Sequence, residues 1–397
     1  MIILLSCGLA GWLFLLLWHT LQTRGVETLS GTKDFPLRSQ PLVSILIPAR
    51  NEAEMLAATL PRFLSQDYDN FEVILVDDAS TDGTADVVKK FLPSYPERLR
   101  LLRVESLPPD WIGKTHALDV GFRAARGEWV LAADADILLD PKALRAGLWV
   151  AEQQRAELVS IFAFMECVSF WEKVILPGFG LLLATFFPVR KINDPNSTVA
   201  LASGGYILMR RRMWAKLGGY QTVRSEMIDD LNTARIVKHS GHRIFASLTQ
   251  DLVRTRMYKN FGEIWEGLRK NAFASHHFSV RRMLFWVSGG LLANLLPLAS
   301  LFYSAALLLG GTAGSEEQAW QLQAVLALAA AQYFLSVLLH LPVLAYYGIG
   351  FGYALLAPLG GILYAAISLD SMVSTLRGQG VSWKLRQYGK PPLESED

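Results

Sequence analysis

Long apolar stretches bracket a middle region in which short apolar runs alternate with charged and turn residues. Met1 to Trp18 carries no charge and is followed by His19 and Arg24. It is just long enough to cross a bilayer core of about 30 Å. No basic segment precedes it and no small-residue cleavage site follows, so an anchor over residues 1–22 is expected rather than a signal peptide. Three further stretches of spanning length run from about Leu284 to Gly310, Leu322 to Tyr347 and Phe351 to Met372. Soluble helices of that length are seldom apolar nearly all round. Transmembrane helices are therefore expected over residues 284–373, followed by a tail over 374–397.

The middle region, residues 41–280, reads as one α/β domain. Leu42–Pro48, Phe71–Val76, Leu99–Val104 and Glu128–Ala133 are short apolar or β-branched runs of the kind that form buried strands. Asn51–Leu64, with Asn51 as N-cap, Ala85–Phe91 and Lys114–Arg126 have helical character between them. Strands and helices in alternation predict a doubly wound, mostly parallel sheet. Ligands of such sheets bind beyond the carboxyl ends of the strands. There the sequence places Asp77-Asp78, the turn Ser80–Thr84, and Asp134-Ala135-Asp136. Two acids one residue apart at that edge can hold a hard divalent cation against a phosphate; aspartates also populate ordinary turns after strands. There is no G-x-G-x-x-G after the first strand and no G-x-x-x-x-G-K-[ST], which removes the usual dinucleotide and P-loop chemistries. Carboxylates at strand ends would instead bond a base or ribose and hold a metal on a diphosphate.

Composition sharpens this picture. The 397 residues are 51% hydrophobic and 19% charged, too apolar for an ordinary soluble enzyme. A net charge of +2 with no basic tract argues against a nucleic-acid partner. Two cysteines, Cys7 and Cys167, exclude a disulfide framework and a cysteine-ligated zinc site. His276-His277 point apart on a helix and read as interfacial or solvated. Arg24, Lys33, Arg38, Arg281 and Arg282 flank the middle domain, whereas Glu316 and Glu317 lie between the second and third spans. The positive-inside rule then puts the middle domain in the cytoplasm, and the expected setting is a multi-pass protein of the inner (plasma) membrane. Arg377, Lys384, Arg386 and Lys390 also suggest a cytoplasmic C-terminus, which three further crossings would not allow. One late segment is therefore expected to be re-entrant, and Phe351–Met372, with Pro358, Gly360-Gly361 and Asp370, is the candidate. Val174 to Val189, broken by Pro177 and flanked by Lys173, Arg190 and Lys191, reads as an interfacial or re-entrant segment, or else as a core helix.

Four stretches in register resemble the signatures of family 2 glycosyltransferases across roughly residues 41–250. They are Pro41–Glu52, Val76–Thr84, Gly113–Leu118 and Asp134-Ala135-Asp136. The resemblance implies a nucleotide-sugar-binding sheet of glycosyltransferase A type and a nucleotide-diphosphate sugar donor. It implies that Pro48, Arg50 and Glu52 line the nucleotide pocket, that Asp77 and Asp78 contact the base, and that Lys114 lies near the diphosphate. Asp134 would approach the ribose or donor sugar, and Asp136, with Asp134, would ligate Mg²⁺ or Mn²⁺. Glu226–Arg235 followed by Lys238–Ile244 resembles the family's acid pair at the start of a helix. Aligned on Gly241, the pair is Asp229 and Asp230, with Asp230 the general base of an inverting transfer; the alternative is two acids that merely cap a helix. Asp229 stands where the family carries Glu. Ser203–Tyr206 and Leu217–Tyr220 resemble elements around the donor sugar, or are plain turns. A Q-x-x-R-W motif is missing from Arg254–Asn271, which disfavours processive polymer synthesis. Pro108–Lys114 looks like the branch associated with hopanoid and carotenoid-type lipids. The expected function is transfer of a single sugar to a membrane lipid acceptor. The alternatives are a polyprenyl-phosphate sugar synthase, whose ionised acceptor needs no base, and a non-catalytic membrane scaffold with the same fold.

Overall fold

The computed structural model describes residues 1–311, 314–378, 381–383 and 386–388. Of the tail expected at 374–397, residues 379–380, 384–385 and 389–397 lie outside the described residues. The chain forms two compact units. One comprises Gly25–Glu166 and Phe187–Met257, the other Met1–Arg24, Cys167–Phe186 and Tyr258–Asp397. Residues 167–186 and 258–280, placed by the sequence pattern in the middle domain, thus group with the apolar helices.

The strands of the first unit are, in chain order, β1 (Thr28–Leu29), β2 (Val43–Ala49), β3 (Phe71–Asp78), β4 (Leu99–Val104), β5 (Trp129–Ala132), β6 (Leu138–Leu139), β7 (Leu158–Phe162), β8 (Phe164–Met165), β9 (Ile207–Arg210), β10 (Ile244–Thr249) and β11 (Val253–Thr255). Eight of them form one sheet in the order β1-β10-β7-β9-β5-β2-β3-β4, and β6-β11-β8 form a small second sheet. Within the large sheet every pair is parallel except those of β9, which runs antiparallel to β5 and β7. Alternate side chains of the central strands enter different cores. Val43, Ile45 and Ile47 of β2, Val73 and Leu75 of β3, and Trp129 and Leu131 of β5 pack on one face. Leu46, Ile74, Val76, Val130 and Ala132 pack on the other. This is why the strands read as continuous apolar runs: both faces are covered by helices.

A buried polar junction fixes the strand starts, at the edge away from the strand C-termini. Glu72, 1% exposed, accepts hydrogen bonds from Ser44 Oγ at 2.7 Å and from Arg126 N and Nε at 2.8 and 3.0 Å, with Arg100 Nη1 at 3.4 Å. Ser44 Oγ in turn accepts from Gly127 N at 2.8 Å. A Cβ on Gly127 would lie 2.6 Å from Ser44 N and from Trp129 O, so only glycine allows this closeness. Burial pushes the Glu72 carboxyl up, but its bonds to Ser44 and Arg126 outweigh that and hold it below the usual range.

The second unit contains helices Ile2–Thr23, Phe170–Phe186, Phe261–Ser275, Val280–Leu309, Glu316–Tyr346 and Ala357–Leu376. Among the described residues, five segments are long and apolar enough to cross a membrane, including 170–193 and 351–376. The helices Val280–Leu309 and Ala357–Leu376 are antiparallel. Met283 and Val287 pack with Met372, while a Cβ on Gly361 would meet the Asn294 side chain at 2.7 Å. After Tyr346 the chain turns at Gly348 (φ 66°) and runs back far enough for Leu355 O to accept from Tyr333 Oη at 3.0 Å. Asp370 accepts from Trp265 Nε1 at 2.8 Å and lies 3.5 Å from Arg269 Nη1.

Breaking the Glu72 junction tests its weight. Arg100 and Arg126 reach solvent, which screens them, so Glu72→Ala should cost about 3 kcal/mol, the low end for removing one partner of a buried pair. Glu72→Gln should cost less, and urea unfolding followed by tryptophan fluorescence reads both. Because the folded carboxyl sits below its unfolded value of about 4.3, its contribution is present above that pH and is lost as pH falls through the folded value. The wild type should therefore lose stability in acid more steeply than Glu72→Gln.

Candidate active site

Parallel β2, β3 and β5 end at one edge of the sheet, and antiparallel β9 begins there, with Ile207 paired to Ala132. The turns after β2 and β3 are stitched together. Asn51 and Ala79 both take left-handed backbone, φ 52° and 50°. Asn51 N donates to Ser80 Oγ at 3.0 Å and Thr81 N donates to Asn51 Oδ1 at 2.9 Å. Glu52 N donates to Thr84 Oγ1 at 2.9 Å and Ala53 N to Asp82 Oδ2 at 3.0 Å. The helix expected from Asn51 thus starts at Ala53, because the Asn51 side chain is spent on the neighbouring turn and Asp82 supplies the cap. Burial acts to raise Asp82, yet its bonds to Thr84 and Ala53 hold it below the usual carboxylate range. Arg50 Nη1 donates to Asp78 O at 2.7 Å. Asp77 and Asp78 are buried; Asp77 Oδ1 accepts from Ser80 N at 3.1 Å and its Oδ2 lies 3.7 Å from Arg103 Nε.

A second group meets where β5 and β9 adjoin. Lys114 opens the helix Gly113–Ala124, and its Nζ lies 2.7 Å from Asp134 Oδ1 and 3.6 Å from Asp229 Oδ1. Asp229 and Asp230 begin the helix Asp229–His239, where the helix dipole favours negative charge. Asp230 Oδ2 accepts from Gly204 N at 2.9 Å and Oδ1 from Leu231 N at 2.8 Å. Gly204 is the wall of this cluster: a Cβ there would lie 2.9 Å from Lys114 Nζ, 3.0 Å from Asp134 Oδ2 and 3.4 Å from Asp230 Oδ2. Pro48, Lys114, Asp134, Gly204, Tyr220 and Asp229 line one small cleft.

The electrostatics follow from burial and unequal charge. Burial acts to lower Lys114, but Asp134, Asp229 and Asp230 outweigh it and hold the ammonium well above its ordinary value. Burial and the Asp229 charge push Asp230 up to about 6, against Lys114 and its two backbone donors. Burial, then Asp134 and Glu52, push Asp136 up to about 6 as well, although Thr255 Oγ1 donates to Asp136 Oδ2 at 3.1 Å. Among the described residues no group of three His, Cys, Asp or Glu side chains is placed to hold a metal by itself. A cation at Asp134 and Asp136 would need further ligands from a bound molecule, and the crowding of Asp134, Asp136 and Glu52 is the strain such a cation relieves.

Of the residues singled out in the sequence, Pro48, Lys114, Asp134, Asp229 and Asp230 come together. Arg50, Asp77 and Asp78 form the stitched turns, and Glu52 and Asp136 interact beside them. Two contributors carried no signal of their own: Thr255, which reaches Asp136 from β11, and Arg103, beside Asp77; Asp82 lies in the turn Ser80–Thr84 read from the sequence, but its bond to Ala53 N is not legible there. Thr255 and Arg103 each act from another strand on an acid recognised for other reasons.

Comparison with known proteins bears on the domain that holds this edge. Residues 44–218 match the family model Glycosyl transferase family 2. EpsE of Bacillus subtilis, a protein named as a glycosyltransferase, is 30% identical over 199 residues, 47% of this chain and 63% of its own length. The PGL/p-HBAD biosynthesis glycosyltransferase of Mycobacterium tuberculosis is 33% identical over 132 residues, 33% of this chain and 50% of its own. The chain thus spans about half to two thirds of the length of these relatives. The mannosyltransferase PcManGT from Pyrobaculum calidifontis, solved in complex with GDP-Man and Mn²⁺, superposes with a TM-score of 0.51 at 23% identity, covering 91% of this chain and 97% of that one. That likeness bears on the fold, which is the mostly parallel sheet of glycosyltransferase A type expected from the sequence.

Asp82 gives a test of the stitched turns. Asp82→Ala removes the cap of Ala53–Leu64 and should raise amide hydrogen exchange at residues 50–56 and 79–84 about tenfold, the equivalent of about 1.4 kcal/mol. Exchange across β5 should stay unchanged.

Proposed function

We propose, from the match of residues 44–218 to the Glycosyl transferase family 2 model, that the chain transfers a single sugar from a nucleotide-diphosphate sugar to a membrane lipid, with inversion and with a divalent metal. The observation that carries this reading is the placement of Asp230, anchored by Gly204 N and Leu231 N, in the same group as Lys114 and Asp134. Asp229 is buried and lies near Lys114, whereas Asp230 is the less buried of the pair. Asp230 is therefore assigned as the base. It takes the proton of an acceptor hydroxyl as that oxygen bonds to the anomeric carbon. The bond from that carbon to the diphosphate oxygen breaks, and its electron pair leaves with the diphosphate. Lys114 stabilises the departing charge. Asp136 and Asp134 would hold Mg²⁺ or Mn²⁺, which supplies the positive charge that a diphosphate needs beside so many carboxylates. Arg50, Glu52, Asp77, Asp78 and Pro48 would receive the nucleotide. The solved fold neighbour's GDP-Man and Mn²⁺ support a sugar nucleotide and a divalent cation as the ligand class.

Five apolar helices support a bilayer setting and a lipid acceptor. We assign the protein to the inner membrane, with residues 25–166 and 187–257 on the cytoplasmic side. The doubling back after Tyr346 supports the re-entrant reading of the last apolar segment, so that 357–376 returns to the side from which 280–309 starts. In a Cys7→Ser, Cys167→Ser background, a membrane-impermeant maleimide added outside cells should label Glu317→Cys. It should label Arg377→Cys only after permeabilisation.

The activity test uses purified full-length protein, Mn²⁺, a panel of nucleotide sugars and a membrane lipid extract, with sugar-mass adducts on lipids as the readout. No adduct with any donor, despite measured donor binding, would sink the proposal. Asp230→Asn should lower kcat by about 10²- to 10⁴-fold and leave donor affinity within about threefold. Retained activity in that variant would point instead to an acceptor that is already ionised, such as a polyprenyl phosphate. Because the base works only when deprotonated, kcat should fall as pH drops through about 6 and be flat above it. Asp230→Glu should shift that inflection.

A further inference from the structure

Lys114 has two acidic partners and stands on one of them. Its Nζ is 2.7 Å from Asp134 Oδ1 and 3.6 Å from Asp229 Oδ1. Gly204 makes room for it there, since a Cβ at that position would lie 2.9 Å from Nζ. Asp134, one of the two carboxylates assigned to the cation, is thus already neutralised by an ammonium group of the protein's own. A lone divalent ion arriving at Asp134 and Asp136 must break this pair and then sit close to a half-buried like charge. It would also lack ligands, because no third carboxylate or imidazole among the described residues completes the site. A nucleoside diphosphate reverses the balance. Its oxygens complete the coordination, and its charge gives Lys114 a new partner on the side of Asp229.

We propose that Lys114 is an internal counter-ion that bars Asp134 to a lone divalent cation and moves toward Asp229 and the diphosphate when the donor arrives, so that cation and donor bind as a pair. The inference rests on the metal-dependent donor binding proposed above. Since coupling between two ligands is reciprocal, each raises the affinity for the other by one common factor. That factor depends on the Lys114 charge. The side chain has a resting partner and a waiting one within a short swing, so no backbone movement is needed.

The test measures free Mn²⁺ by its electron paramagnetic resonance signal, with full-length protein in detergent, alone and with UDP or GDP. Wild type, Lys114→Met, Lys114→Gln and Lys114→Arg are compared, and their unfolding temperatures confirm that each is folded. UDP or GDP should tighten Mn²⁺ binding to the wild type by at least about tenfold. Lys114→Met should bind Mn²⁺ alone at least about tenfold more tightly than wild type, with the coupling reduced to about threefold or less. Lys114→Gln should follow Lys114→Met, and Lys114→Arg, which keeps the charge, should follow wild type. Equal affinity of wild type and both neutral variants for Mn²⁺ alone would overturn the counter-ion role while leaving metal-dependent donor binding intact. If the wild type bound no Mn²⁺ even with UDP or GDP, metal dependence would fail and the counter-ion role with it.

Discussion

Asp134, Asp229 and Asp230 converge on the single ammonium of Lys114, and the geometry of the sheet edge serves to keep that unequal group assembled. Carboxylates repel one another more strongly as they leave water. Holding them together requires rigid elements behind each. Asp134 is carried by β5, and Asp229 and Asp230 by a helix start, where backbone donors and the dipole offset part of the repulsion. Lys114 opens another helix. The excess negative charge that remains is what makes the edge receptive to a cation that arrives with an anionic ligand.

The parallel sheet supplies that rigidity. β2, β3 and β5 are buried on both faces, so their ends cannot drift without disturbing two cores at once. At the opposite edge, Glu72, Ser44 and Gly127 fix the starts of the same strands. β9 has a different part. Entering antiparallel between β5 and β7, it brings its first residues, rather than its last, to the active edge. That reversal sets Gly204 N against Asp230 and leaves a space the size of a methyl group for Lys114 Nζ.

The helical unit obeys another solvent logic. Several of its polar side chains find partners within the unit: Gln332 Nε2 donates to Leu5 O, Ser371 Oγ accepts from Phe273 N, and Trp265 and Arg269 attend Asp370. In an apolar setting an unpaired donor or acceptor is expensive, so such pairs fix the register of neighbouring helices. Of the residues of 351–372 that break an otherwise apolar pattern, Pro358 opens the helix Ala357–Leu376 just after the chain has turned back beside Tyr333, and Gly361 lets that helix approach Asn294.

The sequence by itself determined the elements whose signal is local. Alternation of apolar runs and helical patterns placed β2 to β5 and the helices between them, because strands covered on both faces must be apolar throughout. Asp77-Asp78, Lys114, Asp134-Ala135-Asp136 and Asp229-Asp230 were legible because short motifs in a fixed order mark strand ends and helix starts. Uninterrupted hydropathy likewise gave away the long apolar helices. Only the tertiary structure decided which of these residues meet. Nothing in Thr255 or Arg103 marks either as the neighbour of an acid, and nothing local shows Asp82 reaching back to Ala53 or Lys114 seated on Asp134. Those relations depend on strand order, on the reversed direction of β9 and on contacts between separate elements. A pattern with a period of two or of 3.6 residues carries no information about them, because it records how each element meets its own core and not which elements share an edge.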